Sequence, residues 1–238
     1  MIRALVFDFD GLILDTEGPE YLAWCEIFRA HAQDLPLPVW AECIGRAAGW
    51  FDPLEYLERL LGTPLEREAL RLQQRSRMLE LVAVQPLLPG VRAYVRDAQR
   101  LGLGLAIASS GTREWVTSHL QRLELGGDWQ CVRCREDVLR PKPEPDLYLA
   151  ALEALGVAAS QAVAFEDSPN GIRAAKRAGL HCVAVPHGLT GGLDLSEADL
   201  QLASLADMPL EALVPTLAQR SAGPAPRDPG ARVSGAGG

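Results

Sequence analysis

Arg3-Ala4-Leu5-Val6-Phe7-Asp8-Phe9-Asp10-Gly11 opens the chain with an apolar run that ends in two acids and a glycine. Such a run predicts a buried strand of a parallel sheet. At strand period, residues two apart point to one side, so Asp8 and Asp10 share a side at the end of the strand. Two carboxylates beside an apolar strand are costly unless a cation or hydrogen-bond donors compensate them. Gly11 permits a sharp exit or a close backbone approach. In an open α/β sheet, ligands bind at the carboxyl ends of strands. The pair therefore reads either as a nucleophilic or metal-binding site or as an acidic turn that merely ends the strand.

Working outward, residues 16–86 change texture. Tyr21, Trp24, Cys25 and Phe28 recur at helical spacing. Pro36 and Pro38 end that helix, and a short one follows over 39–44. Asp52-Pro53 predicts an N-cap and first helical residue, with Gly62 at the end. Thr63-Pro64-x-Glu66 predicts another helix start, with Leu65, Ala69, Leu72, Leu79 and Ala83 on its apolar face. From residue 87 onward, short apolar strands alternate with helices. Strands are expected at 103–109, 130–133, 162–165, 182–185 and 200–203, and alternation of this kind implies a parallel, doubly wound sheet with right-handed crossovers. The expected fold is α/β: a core of residues 1–15 and 87–220, with a small helical domain, 16–86, inserted after the first strand. Residues 221–238 are Gly, Pro, Ala and Ser with few apolar anchors and are expected to be disordered.

Composition limits the function. A net charge of −8 argues against nucleic acid and anionic membranes as partners, but not against a small anionic substrate in a local positive pocket. No apolar run approaches membrane-spanning length, and the N-terminus lacks the charged and apolar regions of a signal peptide. Five scattered cysteines fit a reducing cytoplasm. Cys131-Val-Arg-Cys134 has metal-ligand spacing, but no second pair or His partner follows, which favours a structural role.

Other expected strand ends also carry polar groups. Ser109-Ser110 at a helix start offers hydroxyls and backbone N–H groups to a phosphate, although helix capping alone explains both. Lys142, one of only two lysines, sits between two prolines in a loop. It reads as a solvated loop residue or as a rigidly framed cation. Glu166-Asp167 repeats the pattern of acids after an apolar strand. If these strands are neighbours, four carboxylates converge. That charge calls for a hard cation with oxygen ligands such as Mg²⁺, with Lys142 on the other side of a phosphate.

Together these motifs resemble the haloacid dehalogenase superfamily of phosphotransferases, in the branch with a helical cap after the first strand. The resemblance covers residues 2–215. Asp8-Phe9-Asp10-Gly11 with Asp15-Thr16 matches the first motif and Ser109 the second. Lys142-Pro143-x-Pro145-Asp146 matches the third and Glu166-Asp167-Ser168-x-x-Gly171-Ile172 the fourth. The resemblance implies that Asp8 attacks phosphorus and Asp10 is the acid and then the base. It implies Mg²⁺ on Asp8, the Asp10 carbonyl and Asp167, with Glu166 reaching it through water. Ser109 and Lys142 would hold phosphoryl oxygens, with Ser110 beside them.

Departures from the family narrow the activity. Dehalogenases lack the second acid, which Asp10 supplies here. Phosphonatases need a cap lysine, and residues 16–86 contain none. Mutases of the branch carry a cap arginine four residues after a glycine. In Gly45-Arg46-Ala47-Ala48-Gly49 the arginine directly follows the glycine. Their cap histidine aligns with Glu20. The resemblance therefore implies a Mg²⁺-dependent phosphatase acting on a small sugar or polyol phosphate. A β-phosphoglucomutase-like mutase is the alternative, and a phosphate-sensing binding protein a further class. Glu17, Arg46 and Trp50 read equally as substrate-facing cap residues or as cap packing. Nothing in the sequence sets the oligomeric state.

Overall fold

The computed structural model describes residues 1–41 and 51–221. The sheet comprises β1 (Ala4–Phe7), β2 (Gly104–Ala108), β3 (Cys131–Arg133), β4 (Ala162–Glu166), β5 (His181–Ala184) and β6 (Leu200–Gln201). All pairs are parallel, in the order β3-β2-β1-β4-β5-β6. The order reverses between β1 and β4. A crevice therefore opens beyond their carboxyl ends, because their following segments leave toward opposite sides.

Side-chain alternation gives the sheet two unlike faces. Leu5, Phe7, Leu105, Ile107, Val163, Phe165 and Val183 point into one core cluster. Ala4, Val6, Ala106, Ala108, Ala162, Ala164, Cys182 and Ala184 point into the other. The first face is bulky. Phe7 stacks on Phe165 at 4.8 Å between centroids, and helices α5 (Val91–Arg100), α6 (Arg113–Arg122) and α9 (Leu210–Ser221) cover it. The second face is nearly all alanine, so α7 (Asp146–Leu155) and α8 (Pro169–Arg177) pack close to the backbone there. Truncating a buried aromatic such as Phe7 to Ala would cost about 3–5 kcal/mol.

Between β1 and α5 lie α1 (Glu17–Ala30), α2 (Leu37–Ala41), α3 (Pro53–Leu61) and α4 (Arg67–Ala83). Trp24, Cys25, Ile27, Phe28, Leu35, Trp40, Leu54 and Leu57 form a third cluster of their own. The expected start of α3 is found. The Asp52 carboxylate accepts from the Leu54 N–H, and Gly62 ends the helix in the left-handed conformation, φ 69°.

Two expectations for α4 are corrected. It begins at Arg67 after Glu66, with no side-chain cap, so Thr63-Pro64 does not open it. Instead Leu65 packs against the third cluster, and its N–H bonds the Glu58 carboxylate, which draws that segment away from the helix. Its buried face is Gln74, Met78 and Val82, whereas Leu72 is 66% and Leu79 40% exposed. Apolar residues lie on two sides of this helix, and packing against α1 rather than residue count selects the inner one.

The expected helix over 39–44 is found as Leu37–Ala41 as far as the structure describes it. Arg46, Trp50, the Gly45–Gly49 loop and residues 222–238 lie outside the described residues. No helix among the described residues is long and apolar enough to cross a membrane.

Candidate active site

β1 ends at Phe7, and the Asp8 N–H still bonds the Phe165 carbonyl at 3.0 Å, so Asp8 stands at the crevice beside the end of β4. The backbone then turns at Gly11, φ 78°, whose N–H bonds the Leu14 carbonyl at 2.8 Å. A side chain there would collide with the Asp167 carboxylate. Gly171 serves the same end for the neighbouring acid, because a Cβ on it would overlap the Glu166 carboxylate. The glycines of the first and fourth motifs thus make room for the acids of the fourth.

Asp8, Glu166 and Asp167 each offer a carboxylate oxygen, and these atoms lie within 4.8 Å of one another. All three residues are buried. Lys142 reaches in from the loop after β3, donating to Asp8 Oδ1 at 2.7 Å and to Glu166 Oε1 at 2.6 Å. The Tyr148 hydroxyl, on α7, donates to the same Glu166 oxygen at 2.6 Å. The lysine side chain is only 6% exposed, which decides between its two sequence readings: it is a framed cation rather than a solvated loop residue.

One ammonium does not balance three carboxylates. Burial, then Asp8, pushes Glu166 up to about 7 against the pull of Lys142. Burial, Asp8 and Glu166 raise Asp167 well above the carboxylate range. Burial alone would lower Lys142, but Asp8 and Glu166 outweigh it and raise it. Clustered oxygen donors with surplus negative charge suit a hard divalent cation.

Asp10 takes different partners. Its Oδ1 accepts from Trp115 Nε1 at 2.8 Å, and its Oδ2 lies 3.4 Å from Ser109 Oγ. Burial, then Asp8, raises it to about 6, while Trp115 and the Thr16 hydroxyl stabilise its charged form. Ser109 is fully buried at the end of β2 and accepts from the Gly111 N–H at 2.9 Å. Ser110 is exposed beside it. The cap of α6 is Thr112, which accepts from the Trp115 N–H. That leaves both serines free of the capping role. Glu17 begins α1 above the site. Burial, then Glu20 and Asp10, pushes it up to about 8. Asp15 accepts from the Gly18 N–H at 2.9 Å and pairs with His187 at 3.3 Å.

A family profile for haloacid dehalogenase-like hydrolases matches residues 2–179. The chain belongs to that family. Among curated relatives of this hydrolase, YhcW of Bacillus subtilis, a phosphatase by name, is 47% identical over 90% of this chain and 97% of its own. The phosphorylated carbohydrates phosphatase of Thermotoga maritima is 30% identical, covering 83% and 91%. The crystal structure of CbbY from Rhodobacter sphaeroides in complex with phosphate is 30% identical, with a TM-score of 0.70 over 90% of this chain and 100% of that one. With this kinship, the haloacid dehalogenase-like chain is an enzyme that hydrolyses phosphoric monoesters.

Trp115 and Tyr148 were not legible as site residues in the sequence. Tyr148 sits on the inner face of α7 at an ordinary core spacing, and Trp115 in the first turn of α6 carries no motif signal. Only convergence in space marks them.

Proposed function

We propose that this hydrolase removes phosphate from a small sugar or polyol phosphate, using Asp8 as nucleophile and Mg²⁺ as cofactor. The observation that carries the reading is the position of Lys142, which bridges Asp8 and Glu166 at the edge of the three-carboxylate cluster. A cation held by Asp8, Asp167 and the Asp10 carbonyl, with Glu166 behind it, would neutralise phosphoryl oxygens as charge develops on them.

In the first half-reaction an Asp8 oxygen bonds phosphorus as the bond to the alcohol oxygen breaks. Asp10 gives its proton to that oxygen, and the alcohol leaves. In the second, water attacks the phosphorus, Asp10 takes the water's proton, and the Asp8–phosphorus bond breaks to release phosphate. An Asp10 that titrates near 6 exchanges a proton readily in both directions near neutral pH. Lys142 and Ser109 hold phosphoryl oxygens in the loose transition state, with Ser110 at the mouth. Residues 16–86 act as a cap that excludes bulk water, presenting Glu17 to substrate hydroxyls. The names of relatives that act on phosphorylated carbohydrates and on pseudouridine 5'-phosphate support a small polyhydroxylated substrate.

The test is phosphate release from glucose 6-phosphate, fructose 6-phosphate, ribose 5-phosphate, glycerol 3-phosphate and sorbitol 6-phosphate. Each is run with Mg²⁺ and with chelator, using Asp8→Asn as the blank. Release that needs both Mg²⁺ and Asp8 is expected. Isomerised sugar phosphate that forms only with a bisphosphate primer would replace the reading with a mutase.

A further inference from the structure

The two oxygens of Asp10 have unlike neighbours. Oδ1 accepts a 2.8 Å hydrogen bond from the Trp115 indole. Oδ2 faces Ser109 Oγ at 3.4 Å. An indole N–H can only donate, so the oxygen it meets must present a lone pair in either form of the carboxyl. The Thr16 hydroxyl, which also stabilises the ionised Asp10, can donate or accept and imposes no such choice. A neutral carboxyl has one hydroxyl and one carbonyl oxygen. The carbonyl oxygen is the stronger acceptor, so the indole on Oδ1 favours the proton on Oδ2, where the Ser109 hydroxyl, which donates to the ionised carboxylate, can turn to accept it.

We propose that Trp115 is a positioning residue that locks the Asp10 carboxyl with Oδ2 turned toward the leaving oxygen. The proposal rests on the reading of Asp10 as general acid. As the phosphorus–oxygen bond breaks, its electron pair on the alcohol oxygen takes the proton from Oδ2, and Asp10 is left as a carboxylate.

The indole is itself held from three sides. His119, one turn along α6, meets it edge-on at 4.3 Å. The Arg75 guanidinium, from α4, lies 5.9 Å from the ring centroid. Gly111 passes so close that a Cβ there would sit 3.2 Å from both Trp115 Cδ1 and Asp10 Oδ2. A ring packed only as filler would not need its one polar atom aimed at the acid.

A general acid matters for a poor leaving group and little for a good one, and that difference tests the role. The quantity is kcat/KM, which reports steps only through release of the alcohol. It is measured for the alkyl phosphate turned over fastest in the panel above and for 4-nitrophenyl phosphate. Both esters are assayed on the same preparation, so their ratio does not depend on how much of a variant folds. Trp115→Phe keeps an aromatic ring and loses the N–H. Its alkyl kcat/KM should fall about tenfold or more and its aryl value less than about threefold. Trp115→Gln keeps a neutral donor and should restore the alkyl-to-aryl ratio toward that of the parent. Equal losses on both esters, or a ratio for Gln as low as that for Phe, would overturn the proposal. Asp10→Asn separates the two levels of inference. If it too lowers both esters equally, the general-acid reading of Asp10 has failed. If it is selective and Trp115→Phe is not, only the role of Trp115 has failed.

Discussion

Asp8 and Lys142 are 134 residues apart in the chain, and in the fold the Lys142 ammonium lies 2.7 Å from Asp8 Oδ1. The same ammonium donates to Glu166 Oε1 at 2.6 Å. Lys142→Met keeps the stem and removes the charge, leaving a buried carboxylate cluster without its cation. Metal-free protein should lose about 3–5 kcal/mol of stability in urea unfolding, as for one partner removed from a buried pair. Divalent cation should return part of that loss. Turnover should fall about 10²–10³-fold even with saturating cation, because a donor to the transferring group is gone.

Gly171→Ala offers a test of the room made for Glu166. In an ordinary helix the change would stabilise by up to about 1 kcal/mol. Here the new methyl overlaps the Glu166 carboxylate, which must swing away from Lys142 and Tyr148. Calorimetric titration with Mg²⁺ should show affinity lowered by about 10–100-fold, the range for a displaced supporting group. An unchanged affinity would show that Glu166 is not coupled to the cation.

Stability of the metal-free protein should fall as pH rises. Glu166 stands near 7 and Glu17 near 8 in the fold, both above the 4.5 of a free glutamate. Between those values the native state binds more protons than the unfolded chain, so unfolding free energy has a negative slope in pH. The contribution is fully present below about pH 4.5 and lost through pH 7 and 8. Melting in chelator should give a Tm at pH 8.5 at least about 5 °C below that at pH 6, given the few degrees per kcal/mol expected at this size. Mg²⁺ should raise Tm more at pH 8.5 than at pH 6, since it binds the deprotonated acids.

Glu17→Gln removes a charge whose ionised form is opposed first by burial and then by Glu20 and Asp10. At pH 8.5 the variant should melt above the parent. If the ionised Glu17 also receives substrate hydroxyls, KM at pH 8.5 should rise about tenfold while kcat changes little, since one charged hydrogen bond is weakened in ground and transition state alike. A higher Tm with unchanged KM would assign Glu17 to packing.

Much of this fold is local in origin. β1, β2, β4 and β5 announce themselves as apolar runs, Gly62 and Gly156 end their helices in the left-handed conformation, and Asp52 and Ser168 cap theirs. Each signal depends on neighbours a few residues away, which a sequence contains. The phase of α4 does not. Leu72 and Leu79 are as apolar as Met78 and Val82, and only packing against α1 and burial in the first core cluster choose between them.

The same division runs through the site. The sequence by itself determined which residue types stand at the strand ends and that Asp8, Asp10, Ser109, Lys142, Glu166 and Asp167 form one set of motifs. The tertiary structure alone decided how they pair. Lys142 divides its charge between Asp8 and Glu166, Tyr148 shares the same Glu166 oxygen, and the Trp115 indole takes one oxygen of Asp10 and leaves the other to Ser109. Burial sets how strongly each acid holds its proton. Pairing and burial both arise where distant segments meet at the reversal of the sheet, and a linear chain carries no local mark of that meeting.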